Sequence, residues 1–453
     1  MFFDMSDVIK IKRGLTINLV GEAEKTVTEI TPKLCAIKPT DFVGVFPKLL
    51  VQEGDEVKAG SPLFFDKYRD QIRFTSPISG KVKELRRGDK RVLLEIVIES
   101  DGKDTAVDFG KADPNKLKRE EIVEKMLASG IWPMIRQRPY SIIAEPTIEP
   151  KAIFISTFDT SPLAPDYDLI VHGNGDAFQA GIDALVKLAE GKVHLNINAD
   201  DAASKVFTNC KVVQINKFSG KHPAGNVGTQ IAHLDPINKG DLVWYLRPQE
   251  VLQIGRFFLT GKIDATKMVA LSGSEIKRPH YFRTKIGSSL TDLIKNNLLS
   301  ENVRYISGNP LTGKKIEKHG YLGYYDSQLT VIPEGDHFEF FGWMLPGLKK
   351  FSFSRSFASW LMPKAKYKID TNYHGGERAF VMTGNFEKVF GWDIYPMQLI
   401  KAILIEDIDL MERLGIYEVD EEDFALCEFI DTSKTEIQEI VRQGLDVMRK
   451  EMS

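Results

Sequence analysis

The stretch Ala152-Ile153-Phe154-Ile155-Ser156 decides the fold class of the central part of the chain. Its run of apolar and small residues predicts a short buried strand. Further along, the spacing predicts a second strand over Asp168–His172, a helix over Phe178–Gly191 and a third strand over Val193–Ile197. Because strands that alternate with helices are typical of parallel sheets, residues of this region are predicted to form a parallel α/β domain.

The spacing of apolar residues changes on either side of this region, and the new patterns predict three further modules. Short β segments separated by glycine turns fill residues 41–98 and indicate an all-β module. Residues 262–332 combine strands with one predicted helix over Leu290–Leu299, which suits a small grasp-like α+β domain. Helices are predicted from about Pro396 and over Thr435–Met448. The predicted domains are 1–105, 106–260, 261–335 and 336–453.

The composition is that of an ordinary globular protein and argues against several functional classes. The chain has 453 residues and a formal net charge of −3. Nucleic-acid binders usually carry a strong basic excess, so no nucleic-acid partner is predicted. The cysteines Cys35, Cys210 and Cys427 lie far apart. They indicate neither a disulfide framework nor a four-thiolate iron–sulfur cluster, and they predict a reducing, cytoplasmic location.

No segment of the sequence predicts a signal peptide or a membrane span. The N-terminus, Met1–Asp7, carries acid early and is followed by no long apolar run. A spanning helix needs roughly 18–20 apolar residues, and the most apolar candidate, Pro396–Met411, is interrupted by lysine, glutamate and aspartate. Contact with a membrane is therefore expected only through partners or through a surface.

Motifs for metal binding and for hydrolysis are missing from the sequence. The eight histidines are scattered without an H-x-x-x-H or H-E-x-x-H pair, and there is no G-x-S-x-G turn. Neither a metal site nor a catalytic residue is predicted. Lys67 lies on a turn of the all-β module, where biotin and lipoate carriers present a modified lysine. Because its neighbours Phe64, Phe65 and Tyr68 are not the usual modification sequence, a solvated lysine is predicted.

Two glycine turns match nucleotide-binding loops only in part. Gly308–Lys315 ends in lysine where a hydroxyl should reach Mg²⁺, and Pro310 lacks an amide donor, so a plain β-turn is predicted. His172-Gly173-Asn174-Gly175 follows a predicted strand and opens a helix, with Asp200 where a ribose-binding acid would lie. Phe178 replaces the third glycine of that fingerprint. A nucleotide-binding redox enzyme that uses this turn stays open as an alternative.

Two stretches are candidates for ligand or partner contact. Trp132-Pro133-Met134-Ile135-Arg136-Gln137-Arg138-Pro139-Tyr140 mixes aromatic rings with arginines. A quinone needs flat apolar walls and donors to its carbonyls, so Trp132 and Tyr140 are predicted as walls and Arg136 or Arg138 as donors. The alternative is a packed surface loop. Residues 341–368 interleave basic and aromatic residues, which fits an anionic membrane surface, a partner groove or an amphipathic strand pair.

Short motifs in a fixed order carry a family resemblance along nearly the whole chain. They lie at Ile9–Leu15, Phe74–Val82, His222–Gly225, Phe258–Gly261, Phe341–Trp343, Pro346–Gly347, Arg355–Phe357 and Asp420–Cys427. In this order and spacing they resemble NqrA, one of the subunits of the Na⁺-translocating NADH:quinone reductase (Nqr). Any one motif is weak, and the set is specific.

The resemblance implies the fold of each module. The family is related to the flavin- and NADH-binding subunits of complex I and of the Rnf complex. It implies a lipoyl-like β barrel, a Rossmann-like α/β domain, a β-grasp soluble-ligand-binding domain and a C-terminal helical domain. In those relatives a glycine-rich loop cradles the flavin phosphate, whereas bulky residues and prolines fill the corresponding segment here, Gly130–Pro139, so that mode of flavin binding is not expected. The family's C-x-x-x-C-P remnant has Asp431 and Thr432 after Cys427, which argues against a cluster.

The resemblance also implies the function. It implies a peripheral subunit on the cytoplasmic side of the bacterial inner membrane, in a complex that oxidises NADH, reduces quinone and exports Na⁺. It implies no tightly bound cofactor here, with flavins and iron–sulfur centres on partner subunits. The chief expected partner is the membrane subunit bearing covalent flavin, and the expected role is quinone binding and docking. A structural scaffold without its own quinone site is the second alternative.

Overall fold

The computed structural model describes residues 7–452 apart from Phe338 and Trp343. Most of the N-terminal segment considered for a signal peptide, and Trp343 of one motif, therefore lie outside the described residues. The strands are Ile9–Ile11 (β1), Glu24–Glu29 (β2), Leu34–Ile37 (β3), Pro47–Leu49 (β4), Glu56–Val57 (β5), Pro62–Asp66 (β6), Arg69–Thr75 (β7), Gly80–Arg87 (β8), Leu93–Ser100 (β9), Arg136–Arg138 (β10), Ile142–Ile143 (β11), Ala152–Ser156 (β12), Val193–Asn198 (β13), Gln214–Gly220 (β14), Val243–Leu246 (β15), Thr266–Ser272 (β16), His280–Lys285 (β17), Val303–Ser307 (β18), Lys314–Ile316 (β19) and Gln328–Pro333 (β20).

The α-helices are concentrated in the central and C-terminal parts of the chain. Short 3₁₀ turns at Trp132–Met134 and Glu421–Phe424 lie close to the site described below. The α-helices are Arg119–Ser129 (α1), Tyr167–Val171 (α2), Gly175–Val186 (α3), Lys205–Thr208 (α4), Val227–Leu234 (α5), Pro248–Thr260 (α6), Leu290–Leu293 (α7), Phe386–Val389 (α8), Pro396–Leu404 (α9), Ile408–Arg413 (α10), Ala425–Ile430 (α11) and Ile437–Met452 (α12).

A seven-stranded sheet forms the central α/β domain, in the order β1-β14-β13-β12-β15-β10-β11. The strands β12 to β15 are parallel, and β10 and β11 extend the sheet in antiparallel fashion. All five residues of β12 are buried, as expected for the middle of a parallel sheet covered on both faces. The chain runs from β12 to β13 and β14 on one side and then returns to β15 on the other side. The sheet therefore has a topological switch point between β12 and β15.

Three smaller sheets complete the β structure and confirm the predicted fold class. Sheets of three strands (β4-β6-β7) and four strands (β3-β9-β8-β5) form the N-terminal β module, and six strands (β19-β18-β20-β16-β17-β2) form the grasp-like sheet. β1 pairs with β14, and β2 pairs with β17, so the first two strands join sheets of later domains. The predicted domain boundaries at 105, 260 and 335 stay predictions.

The predicted strand over Asp168–His172 is wrong, because this segment lies almost wholly in the helix α2. The Asp166 side chain accepts a hydrogen bond from the Leu169 N–H and caps the helix. Tyr167, Ile170 and Val171 are buried on one face of this single helical turn. The segment is rich in apolar residues but too short for periodicity to separate strand from helix.

The predicted helix over Leu290–Leu299 is also shorter than expected. α7 ends at Leu293, and Asn297 then exchanges side-chain hydrogen bonds with the backbone of Arg278. These two bonds tie the chain to the segment before β17 and replace further helical bonds. The other predicted helices, from Pro396 and over Thr435–Met448, are confirmed as α9 and α12.

The C-terminal helices share one apolar core with the α/β sheet. Leu399 and Ile400 of α9 and Val441 and Leu445 of α12 are fully buried in a cluster that also contains Phe154 of β12. This packing brings the segment around residue 420 against the α/β domain. Within residues 7–452, Phe338 and Trp343 aside, we find no helix with the length and apolar content of a membrane span.

Glycines allow α3 and α6 to touch backbone to backbone. A Cβ added at Gly255 would lie 1.7 Å from the Ala177 carbonyl oxygen. We expect Gly255→Ala to lower the free energy of unfolding by about 1–3 kcal/mol through overpacking, despite the better helix propensity of alanine. Gly175→Ala is the matched control, since a Cβ there meets open space, and it should change stability by less than about 0.5 kcal/mol. Urea unfolding of both variants measures the difference, and equal stabilities would contradict the packing.

Candidate functional site

A small pocket lies at the switch point of the sheet. Ligands of open α/β sheets bind in the crevice outside the carboxyl ends of the strands at such a point. Ser156 at the end of β12 and Leu246 at the end of β15 line this pocket, and its volume is about 50 Å³. Asn309 and Thr312, from the turn between β18 and β19, line it from the grasp-like domain. The pocket therefore lies where two domains meet and takes the end of a ligand rather than a whole ring.

Arg136 brings a cation with free donors to this pocket. Its guanidinium carbon lies 4.5 Å from the ring centre of Tyr245 and 4.6 Å from that of Tyr325. The two rings hold the side chain by cation–π attraction. Among the described residues, the buried Nε has no hydrogen-bond partner, and no carboxylate lies within ion-pair distance of the guanidinium. Arg136 is thus positioned for an acceptor that residues 7–452, Phe338 and Trp343 aside, do not supply.

Arg138 lies behind the pocket and is occupied by carboxylates. Its side chain is fully buried, and its nitrogens lie 2.7 Å from Asp423, 2.8 Å from Glu422 and 3.6 Å from Asp420. Burial raises the pKa of Asp423 to about 7, and the Arg138 charge opposes that rise. Arg138 therefore joins the α/β sheet to the C-terminal section, and it does not line the pocket.

The two predicted aromatic walls, Trp132 and Tyr140, do not line the pocket. Trp132 is fully buried, its Nε1–H donates to the Ala144 carbonyl at 2.8 Å, and its ring packs edge-on against Trp244. Tyr140 is half-buried and packs against Tyr417 of the C-terminal section, with ring centres 6.4 Å apart. Of the four predicted quinone contacts, only Arg136 lines the switch-point pocket.

The pocket is also lined by polar groups that the sequence prediction did not assign. His222 is 4% exposed, and its Nδ1 lies 3.1 Å from the Thr160 hydroxyl. The Nε2 atom of His222 and the hydroxyl of Ser161 are buried without a hydrogen-bond partner among the described residues, and both residues line the pocket. The sequence signal was present, because His222-Pro223-Ala224-Gly225 is one of the family motifs, but nothing in it marked the histidine as a donor.

Acidic groups offset the arginines around the pocket. Asp159 and Glu422 line it together with Arg136 and Arg247. The Asp159 carboxylate accepts the Ser161 N–H at 2.7 Å, and Glu422 binds Arg138. The pocket is therefore rich in hydrogen-bond donors without a strong excess of positive charge, and it suits a neutral acceptor such as a carbonyl better than a free anion.

The two glycine turns that resemble nucleotide-binding loops in part have different structural surroundings. Gly308–Lys315 links β18 to the antiparallel β19, which confirms a β-turn in place of a phosphate loop. The Gly173–Gly175 turn follows the helix α2, so the strand that a dinucleotide fingerprint requires is missing there. In the described part of the chain, no three His, Cys, Asp or Glu side chains are grouped as metal ligands.

Comparison with known proteins relates all of these segments to one family. Residues 9–101 match the family described as the NqrA N-terminal barrel-sandwich hybrid domain, 117–263 the NqrA second alpha/beta domain, and 268–318 the NQRA C-terminal domain. The chain is 39% identical to the NqrA subunit of the Na⁺-translocating NADH-quinone reductase of Yersinia pestis over 98% of this chain and 100% of that protein. The chain belongs to the NqrA family. It is 37% identical to the same subunit of Rhodopirellula baltica and 38% identical to that of Vibrio atlanticus, over 98% of the chain in both cases.

Family membership places the switch-point pocket between two of the matched domains. Ser156, Leu246 and Arg136 belong to the second α/β domain, whereas Asn309 and Thr312 belong to the domain matched at 268–318. Glu422, from the C-terminal section, completes the wall behind Arg136. The NqrA fold thus brings three parts of the chain together around one small donor-rich pocket.

Proposed function

We propose that this NqrA chain binds quinone at the switch-point pocket, with one carbonyl oxygen inside it and the ring at its mouth. The observation that carries the proposal is Arg136, a half-buried cation for which the described residues supply no acceptor. A carbonyl oxygen supplies that acceptor. Phe158, Val227 and Leu246 offer apolar surface beside the same pocket, as an aromatic ring requires.

The chain itself is proposed to hold the quinone and to perform no redox chemistry. Its role is to bind and orient the carbonyl end, while flavins and iron–sulfur centres on partner subunits supply the electrons. This division follows from the family resemblance, in which redox centres lie on other subunits. The complex as a whole then oxidises NADH, reduces quinone and translocates Na⁺.

Arg136→Gln tests the quinone site. The variant removes the charge and shortens the donor, so we expect affinity for a short-chain, water-soluble benzoquinone to fall by about 10-fold or more, as for other lost hydrogen bonds to a charged group. Calorimetric titration of the purified chain measures the change. The control is Arg283→Gln, whose side chain pairs with Glu29 far from the pocket. Equal affinities of wild type and Arg136→Gln would contradict the site, and no binding by the wild-type chain would favour the scaffold alternative.

We further propose that residues 340–362 dock on the membrane subunits from the cytoplasmic side, chiefly on the subunit bearing covalent flavin. Phe340 is 88% exposed, and Met344, Leu345 and Leu361 are each more than half exposed. Large apolar side chains exposed together in one segment of the chain support an interaction site there. Lys349, in the same segment, forms no ion pair among the described residues and adds a cation for an acidic rim on the partner.

Introducing negative charge into this apolar surface tests the docking proposal. Leu345→Glu together with Leu361→Glu should abolish co-purification of the chain with the membrane subunits, because two buried carboxylates would be left without partners. Ile405→Glu is the matched control, since Ile405 is 70% exposed outside the segment. Pull-down from detergent-solubilised membranes measures assembly, and circular dichroism confirms folding. Full assembly of the double variant would rule out this surface.

A further inference from the structure

His222 lines the same pocket as Arg136, in a position fixed by its backbone and by its ring. Its carbonyl oxygen accepts the Leu15 N–H at 2.8 Å. Its Nδ1 lies 3.1 Å from the Thr160 hydroxyl, which in turn accepts the Gly225 N–H at 2.9 Å. These contacts leave the imidazole one orientation, with Nε2 directed away from Thr160 and buried beside the pocket.

The Thr160 hydroxyl can set which ring nitrogen carries the proton. Its oxygen accepts the Gly225 N–H with one lone pair, and its O–H has one proton to donate. Donation of that proton to Nδ1 of His222, 3.1 Å away, would place the ring proton on Nε2. Burial lowers the pKa of His222 to about 4, with Asp159 opposing the shift, so the ring is neutral near pH 7 and carries that single proton.

Burying an N–H group without an acceptor costs free energy, and few such groups occur in native protein structures. Here the Nε2 atom of His222 and the hydroxyl of Ser161 are both without partners among the described residues, and both line the pocket that Arg136 enters. With the ring proton on Nε2, Arg136, His222 and Ser161 bring three donors to one small pocket, and no hydrogen bond to these atoms is formed within the described part of the chain. A carbonyl oxygen has two lone pairs and accepts two such donors at once.

We infer that His222 is a second quinone-binding residue, whose Nε2–H donates to the same carbonyl oxygen that Arg136 binds. Thr160 is a positioning residue that sets the tautomer. This inference rests on the proposed quinone site and assigns its second donor. The near balance of charge around the pocket, with Asp159 and Glu422 beside the arginines, favours a neutral carbonyl as the acceptor.

Titration of four chains with a short-chain benzoquinone tests the inference. His222→Leu removes the donor and should weaken binding about 10-fold, whereas His222→Gln keeps an amide N–H and should stay within about threefold of wild type. The quinone affinity of Thr160→Val should lie between those of His222→Leu and His222→Gln, because the imidazole ring loses the partner that sets its tautomer. A His222→Leu chain that folds and binds as wild type does would overturn the inference.

The outcomes separate the inference from the proposed function. Absence of binding by the wild-type chain would remove the quinone site itself. Binding that Arg136→Gln weakens and His222→Leu does not would remove only the second donor. Should His222→Leu fail to fold, ¹⁵N spectra of histidine-labelled wild type decide: an Nε2–H tautomer whose signal moves on quinone addition supports the role, and an Nδ1–H tautomer or an unmoved signal overturns it.

Discussion

Replacing Arg138 by methionine is expected to lower the free energy of unfolding by about 3–5 kcal/mol, which is among the largest effects a single substitution can have here. The guanidinium is fully buried and contacts Asp423 and Glu422 directly. Methionine fills much of the same volume but leaves the carboxylates without a counter-charge. Chemical unfolding measured by tryptophan fluorescence reports the loss, and a cost below about 1 kcal/mol would contradict the buried network.

The same site predicts a dependence on pH. Burial raises the pKa of Asp423 to about 7, well above that of an unfolded chain. A carboxyl group whose pKa is higher in the folded than in the unfolded state adds to the free energy of unfolding at pH values below its unfolded pKa. This contribution is lost as pH rises from about 4 through about 7. Without Arg138 the ionised form of Asp423 costs still more free energy in the folded state. The loss of unfolding free energy in Arg138→Met should therefore be larger at pH 8 than at pH 5.

Two further variants separate the network from the general effect of losing an arginine. Asp423→Asn should recover part of the loss when combined with Arg138→Met, because it removes one of the unpaired charges. Arg13→Met is the surface control. Its ion pair with Asp393 is exposed, with 41% and 96% of the two side chains accessible, and should be worth less than about 1 kcal/mol.

Trp132→Ala is expected to lower the free energy of unfolding by about 3–5 kcal/mol. The protein that remains folded should bind quinone with the affinity of wild type. Trp132 is fully buried, contacts Trp244 edge-on and donates its indole N–H to Ala144. Truncation therefore opens a large cavity and leaves a buried carbonyl without its donor. Thermal unfolding measures the loss.

Trp132→Phe is the matched substitution for function. It keeps most of the apolar volume and removes the hydrogen bond to Ala144, so about 1–3 kcal/mol of destabilisation is expected. Its quinone affinity should equal that of wild type, because the side chain lies in the core and outside the pocket. A selective loss of affinity in this folded variant would restore Trp132 as a wall of the quinone site.

Elements with a clear apolar pattern could be predicted from the sequence, including the short buried strands β12 and β13. Helices α9 and α12 were predicted because their apolar residues recur over several turns. α2 was mistaken for a strand because five residues cannot show a helical period, and the decisive signal was the Asp166 cap. The pairing of β1 with β14 joins residues about 200 positions apart and has no local signature.

The quinone contacts named from the sequence stay predictions. The Trp132–Tyr140 segment places Arg136 and Arg138 two positions apart on the short strand β10, hence on one face of the sheet. Their different partners come from distant parts of the chain, which composition does not reveal. The partner of Arg138 lies 285 positions away at Asp423 and has no local signature. His222 was visible within a motif, and its proposed role as a donor rests on its place in the pocket lining, which the sequence does not show.

Hydrogen–deuterium exchange of the full chain with and without a short-chain benzoquinone tests most directly whether quinone binds at the switch point. The account predicts slower exchange in two segments that flank the pocket, residues 157–161 after β12 and residues 221–228 around the start of α5. It also predicts that Arg136→Gln abolishes this protection. Protection confined to residues 340–362, or exchange that is unchanged at saturating quinone, would contradict the account.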